Sequence, residues 1–135
     1  SAYSGISRLE CFDITTIYLE RLKTSADRNG IKFNFTLGAE VGVTPYVKKE
    51  FDVSVACQVL LHQRPENIEN VMRELIRVSK KVVVIAWRDE LKPASANSGK
   101  HCFNHDYLNI CLTNNWFVYN VERDDKDIYF TYKEN

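Results

Sequence analysis

"SRLECFDITTIYLERL", residues 7–22, is the stretch whose reading decides the fold. Arg8 to Ile14 is short and rich in large apolar residues, which predicts a strand. Thr15 or Thr16 is placed to cap a helix that follows at once. The strand ends on an acid, Asp13. In nucleotide-binding α/β sheets, an acid at the tip of the second strand takes the ribose hydroxyls of a cofactor. A glycine-rich loop lies roughly 20 residues before it. Here twelve residues precede Asp13, and Gly5 is the one glycine among them.

The rest of the chain bounds the setting. Its 135 residues predict one domain, 1–135, large enough for a single core and small for a complete doubly wound sheet. Lys and Arg together number 18, as do Asp and Glu, so no net field draws the chain to nucleic acid or an anionic membrane. No apolar run approaches the roughly 20 residues of a membrane span. "SAYSGISRLE" has neither the basic start nor the apolar middle of a signal peptide. The four cysteines form no CxxC pair, and Cys11 and Cys57 fall within predicted strands, where a buried thiol acts as a small hydrophobe. These features predict a reduced, cytoplasmic setting.

Helix and strand signals alternate along the chain. Residues 15–28 place Ile17, Tyr18, Leu22 and Ala26 at helical spacing, and Asn29-Gly30 predicts the stop. "IKFNFTL" alternates as a strand with one wetter face, residues 38–50 read as loop or a brief helical turn, and "DVSVACQVLL" reads as a more continuous apolar strand. In "RPENIENVMRELIRVSKK", Pro65 suits a first helical turn, while Ile68, Val71, Met72, Leu75 and Ile76 share a face. Glu69 and Arg73 form an i,i+4 pair there, worth a few tenths of a kcal/mol. "VVVIAW" is apolar on both faces, as a central strand between helices would be. After the polar segment 88–101, Asn104 is placed to cap a helix with Leu108, Cys111 and Leu112 inward. "WFVYNVE" and "DIYFTYK" predict an antiparallel hairpin across the turn "RDDK".

In this order the pieces resemble a class I S-adenosylmethionine-dependent methyltransferase of the small-molecule type. "CFDIT" is similar to the family's second-strand ending, "FTLGAE" to the third, and "EFDVSVACQVLLHQ" to the fourth strand. "VMRELIRVSKKVVVIAW" resembles the next helix and fifth strand, and "HCFNHDYLNICLTNNWFVYNVE" the late helix and its turn into the final hairpin. The resemblance implies a Rossmann-like, mostly parallel α/β sheet with helices on both faces and a C-terminal antiparallel hairpin. It also implies a truncated form, because nothing in "SAYSGIS" supplies the family's first strand and glycine-rich turn. That strand lies centrally in the family, between the strands matched by "CFDIT" and "EFDVSVACQVLLHQ". Its loss leaves two strand edges to be closed up or covered, so a homo-oligomer or a partner chain at that position is expected.

The resemblance also assigns candidate residues. Asp13 would accept the cofactor's ribose hydroxyls; the competing reading is a helix cap. Glu40, one position later than the family's acid after glycine, would meet the adenine amino group or else sit solvated in a loop. Gln58 and His62 end the fourth strand, where ligands gather outside parallel strands and the family brings the methyl group to its acceptor. His62 has the pKa of a general base and is equally a surface residue. His101, Cys102, His105 and Cys111 match no recognised structural zinc spacing. The segment 88–101 reads as a lid or a connector, and Phe117, Tyr119, Tyr129, Phe130 and Tyr132 as core and cross-strand pairs. Two functions follow from the resemblance: methyl transfer from S-adenosylmethionine to a small-molecule acceptor, or a non-catalytic binding or assembly module.

Overall fold

The alternating signals become alternating elements. A computed structural model describes residues 8–13, 16–32, 34–37, 44–87, 102–125 and 127–135. The described elements are β1 (Glu10–Asp13), α1 (Thr16–Arg28), β2 (Asn34–Leu37), β3 (Phe51–Cys57), a 3-10 turn (Leu60–His62), α2 (Ile68–Val78), β4 (Ser79–Trp87), α3 (Tyr107–Thr113), β5 (Trp116–Arg123) and β6 (Asp127–Glu134). They fall in two compact units, Ser1–Thr44 and Pro45–Asn135.

In the first unit β1 and β2 pair in parallel, from Glu10 opposite Asn34 to Asp13 opposite Leu37. The connecting α1 buries Leu19 and Ala26, while Leu22 stays exposed. The helix stops where the sequence predicted. Gly30 takes φ +65°, Ile31 N–H donates to the Ala26 carbonyl at 2.9 Å, and Gly30 N–H to Asp27 at 3.3 Å. These two bonds satisfy carbonyls that a helix end leaves open, and glycine enters the left-handed region without a Cβ clash.

The second unit is a four-stranded sheet in the order β3-β4-β6-β5. β3 and β4 are parallel, whereas β6 runs antiparallel to both β4 and β5. This is the mixed α/β architecture expected, with the C-terminal antiparallel pair in place. β4, the "VVVIAW" strand, lies inside the sheet with Val82, Val84 and Ala86 buried. Beside them Phe130 and Tyr132 of β6 pack against the helices. The Tyr107 ring of α3 lies 5.6 Å from that of Phe130, and the Tyr132 hydroxyl donates to the Met72 carbonyl of α2 at 2.8 Å. Met72 itself is wholly buried, a contribution of about 1.5–3 kcal/mol.

α2 follows its sequence pattern. Ile68, Val71, Met72 and Ile76 are buried, and Arg73 meets Glu69 at 2.7 Å. Arg73 also donates to Asn114 at 2.7 Å, so the surface pair is tied to the end of α3 as well. The α2 C-terminus has a cap the sequence did not announce. Lys49, at φ +56°, sends Nζ to the carbonyls of Ile76 (2.6 Å) and Ser79 (3.1 Å) and to Glu134 (3.1 Å). A cation there meets both the open carbonyls and the negative end of the helix dipole.

Four expectations shift. Pro65 lies in the turn before α2 rather than within its first turn. β3 ends at Cys57, and the "VLL" expected to extend it instead enters a 3-10 turn that buries Leu60 and Leu61. Cys57 is exposed, on the outward side of its strand. α3 is capped by Asp106, whose side chain accepts from Asn109 N–H at 3.1 Å, whereas Asn104 is buried before the helix. The later start turns Tyr107 and Cys111 inward and leaves Leu112 exposed. Among the described residues no helix is long and apolar enough to cross a membrane.

Candidate functional site

The carboxyl ends of the parallel strands are where a ligand is expected in such a sheet. In the first unit that end carries Asp13, the last residue of β1. Its backbone position is described and its side chain is not. The first described residue of the helix that follows is Thr16. Glu40, His101 and the segment 88–101 lie outside the described residues.

In the second unit that end carries Gln58, which follows β3 at φ +55°. A non-glycine residue seldom takes this conformation, and here it turns the chain out of the strand. The turn is held at both levels. Gln58 N–H donates to the Ile85 carbonyl of β4 at 2.9 Å, and its side-chain Nε2 donates to Asp127 Oδ1 at 2.9 Å. The carboxylate fixes the amide orientation, because the reversed amide would set oxygen against oxygen. Gln58 Oε1 is then buried with no donor among the described residues. A buried acceptor without a partner carries a desolvation cost of about 1–3 kcal/mol, and a ligand donor would remove it.

Asp127 opens β6 and belongs to a small polar cluster. Asp127 N–H donates to Asp124 Oδ1 at 2.6 Å, closing the hairpin turn. The Tyr129 hydroxyl donates to Asp124 Oδ2 at 3.0 Å and lies 3.5 Å from Asp127 Oδ2. Its hydrogen bond to Asp124 raises the Tyr129 pKa, with burial and the two carboxylate charges acting the same way. Two carboxylates, a phenol and an amide oxygen form an acceptor-rich corner, suited to a ligand bearing N–H or O–H donors. The sequence reading passed over Asp124 and Asp127 and took Tyr129 as a core or cross-strand residue. The signal was present in "RDDKD", where Asp is the residue type that bonds its own turn backbone.

The histidines and cysteines take separate roles. His62 ends the 3-10 turn as its one exposed residue. His105 is buried, with Nε2 3.2 Å from the Leu60 carbonyl, and Phe103 N–H donates to Leu61 at 2.8 Å. Together they pin the segment before α3 to the turn after β3. Burial pushes the His105 pKa down, against the upward pull of the Gln63 and Leu60 backbone groups. Burial likewise pushes the Cys111 thiol up to about 12, so it stays a neutral core group. Among the described residues no three potential ligands group around a metal position.

The histidine shift has a defined sign. The native state disfavours proton binding, so its stabilisation is complete above the unfolded-state pKa near 6.5 and is lost as pH falls below it. Urea unfolding between pH 7.5 and 5.5 is expected to show wild type losing more stability on acidification than His105→Gln. Equal pH slopes would contradict the buried neutral histidine.

Solved structures provide the comparison. The PH0226 protein of Pyrococcus horikoshii matches at a TM-score of 0.76 and 15% identity, over 98% of this chain and 74% of its own. A SAM-dependent methyltransferase of Methanosarcina mazei matches at 0.73 and 12%, over 93% of this chain and 81% of its own. The geranyl diphosphate C-methyltransferase of Streptomyces coelicolor, solved with Mg2+, geranyl diphosphate and S-adenosyl-L-homocysteine, matches at 0.76 and 12%, over 99% and 67%. The chain has the class I methyltransferase fold. No family model and no curated protein sequence matches it. At these identities the likeness establishes the methyltransferase fold, and ligands must be argued from the residues themselves.

Proposed function

We propose that the chain is a single methyltransferase-like domain that binds S-adenosylmethionine, with Asp13 as the ribose acceptor. The observation that carries this reading is the position of Asp13, closing a strand paired in parallel with β2 within a methyltransferase fold. A carboxylate there can accept from both ribose hydroxyls. Gln58 is assigned to the cofactor on the family resemblance. Glu40 is assigned to the adenine amino group on the family resemblance. Methyl transfer from a sulfonium depends mainly on holding donor and acceptor in line, and the chain's part is that positioning. Calorimetric titration with S-adenosylmethionine and with its demethylated product tests the proposal. Saturable binding is expected, and no heat at millimolar ligand would refute it.

A second reading has its own observation. Among the described residues β3 pairs along one side only, with β4, while Val53 and Val55 are exposed. Parallel strands are ordinarily buried on both faces, and an open apolar edge invites pairing. This supports an assembly module whose β3 edge is completed by another chain, a second copy included. Native mass spectrometry is expected to show a dimer or hetero-complex that Val55→Lys weakens. A monodisperse monomer would count against edge completion.

A further inference from the structure

The two outer strands of the second sheet, β3 and β5, are unlike. β5 carries a register shift between Val118 and Asn120, the kind of irregularity that blunts an edge against further pairing. β3, "FDVSVAC", has neither proline nor lysine, and its register with β4 runs unbroken from Val53 to Cys57. Its one charge, Asp52, is held by Lys80 at 2.9 Å. The devices that keep an edge from pairing are absent from this strand.

Backbone phase shows which groups the β3 edge offers. Gln58 N–H donates to the Ile85 carbonyl at 2.9 Å, while Cys57 stands opposite Ile85. Along a strand, the backbone groups of successive residues point alternately to its two sides. Gln58, Ala56 and Ser54 therefore turn toward β4, and Cys57, Val55 and Val53 turn their N–H and C=O to the open side. Among the described residues no strand pairs there. The same three residues have exposed side chains, with Val53 at 39% and Val55 at 62%. Donors and acceptors recurring at every second residue match another extended strand.

The strand is also complementary to itself. Laid antiparallel on a copy about Ser54, the midpoint of Phe51–Cys57, its 7 residues overlap in full. Val53 then faces Val55 of the second copy, and both turn their backbone groups inward, as a hydrogen-bonded pair requires. Phe51 faces Cys57, which keeps apolar groups together. Asp52 faces Ala56, so no like charges meet, and Ser54 faces its own copy. A slip of one residue would set outward-turned groups against inward-turned ones, and a slip of two would leave ends unpaired.

We propose that the protein forms a two-fold dimer by antiparallel pairing of β3 with β3 of a second copy. The joined sheet has the order β5-β6-β4-β3-β3-β4-β6-β5. A two-fold interface uses one patch twice, which the register centred on Ser54 satisfies. This dimer rests on the reading of β3 as an incomplete edge and narrows it to one occupant and one register.

Cysteine trapping tests occupant and register together, on the full chain in a Cys57→Ser background with oxidised glutathione. In this register Ser54 and its copy form a non-hydrogen-bonded pair with Cα atoms about 4.5 Å apart, within disulfide reach. Asp52 and its copy lie about 14 Å apart, beyond it. Ser54→Cys is expected to give at least about tenfold more disulfide-linked dimer than Asp52→Cys, with the link between the two introduced cysteines identified by peptide mass mapping. Asp52 is 86% exposed and the more accessible site, so random collision would give the opposite order. Native mass spectrometry separates two failures. A dimer without the Ser54 link, or a complex with a different chain, overturns the proposed pairing and leaves the open-edge reading standing. A monomer overturns both. Cofactor titration is independent of either result.

Discussion

Phe130→Ala is expected to lower the stability of the second unit by about 3–5 kcal/mol, a large share of the total stability of an ordinary domain. Phe130 is 1% exposed, stands beside Tyr107 at 5.6 Å and Tyr132 at 6.1 Å, and pairs across strands with Val84 and Val121. Removing the ring takes away its burial and leaves a hole between sheet and α3 that rigid neighbours fill only partly. Phe117→Ala is the matched control. It deletes the same side chain from the partner strand of the same hairpin, but at an exposed position, so a change within about 0.5 kcal/mol is expected. Urea midpoints measure both. A loss under about 1 kcal/mol for Phe130→Ala would mean that the ring is not in the core.

The second large effect concerns the cofactor. At a ligand concentration 100 times Kd, S-adenosylmethionine should add about 2.7 kcal/mol to folding stability, on the order of 10 °C in melting temperature for a chain of this size. Asp13→Ala removes a charged acceptor of two hydroxyls, each bond worth about 1.5–3 kcal/mol, so affinity should fall at least tenfold per bond. Asp13→Asn separates ligand contact from capping. Asparagine caps helices about as well as aspartate but offers one neutral oxygen, so it should keep the unliganded melting temperature while losing the ligand shift. Binding unchanged in both variants would refute the ribose contact.

Elements with strong periodicity were legible from sequence. α2 carries its buried residues at the predicted spacing because its polar and apolar faces differ sharply, and β4 reads as interior because apolar residues fill both sides. The hairpin was legible from the short polar turn between two aromatic strands. Boundaries set by single residues were harder. Gln58 ends β3 by entering the left-handed region, which is held by Asp127, 69 residues away, and no local pattern announces that. Asp106 displaced Asn104 as the α3 cap because both are favoured capping residues and only packing of Tyr107 chose between them. Phe117 and Phe130 show the same ambiguity in the sheet, since aromatic residues in adjacent strands carry no mark of which face a helix will cover.

By itself, the sequence determined the order of elements and their resemblance to a methyltransferase, because hydrophobic period and turn chemistry are local properties of the chain. It also placed Asp13 at a strand tip, since a short apolar run followed by a helix signal fixes where the strand ends. Tertiary structure decided the rest: that Gln58 joins Asp127 at the carboxyl end of the sheet, that His105 braces the turn after β3, and that Phe130 is buried while Phe117 is half exposed. Each of these depends on groups distant in sequence meeting in space, where hydrogen-bond satisfaction and packing against particular helices select among arrangements that local propensity leaves nearly equal.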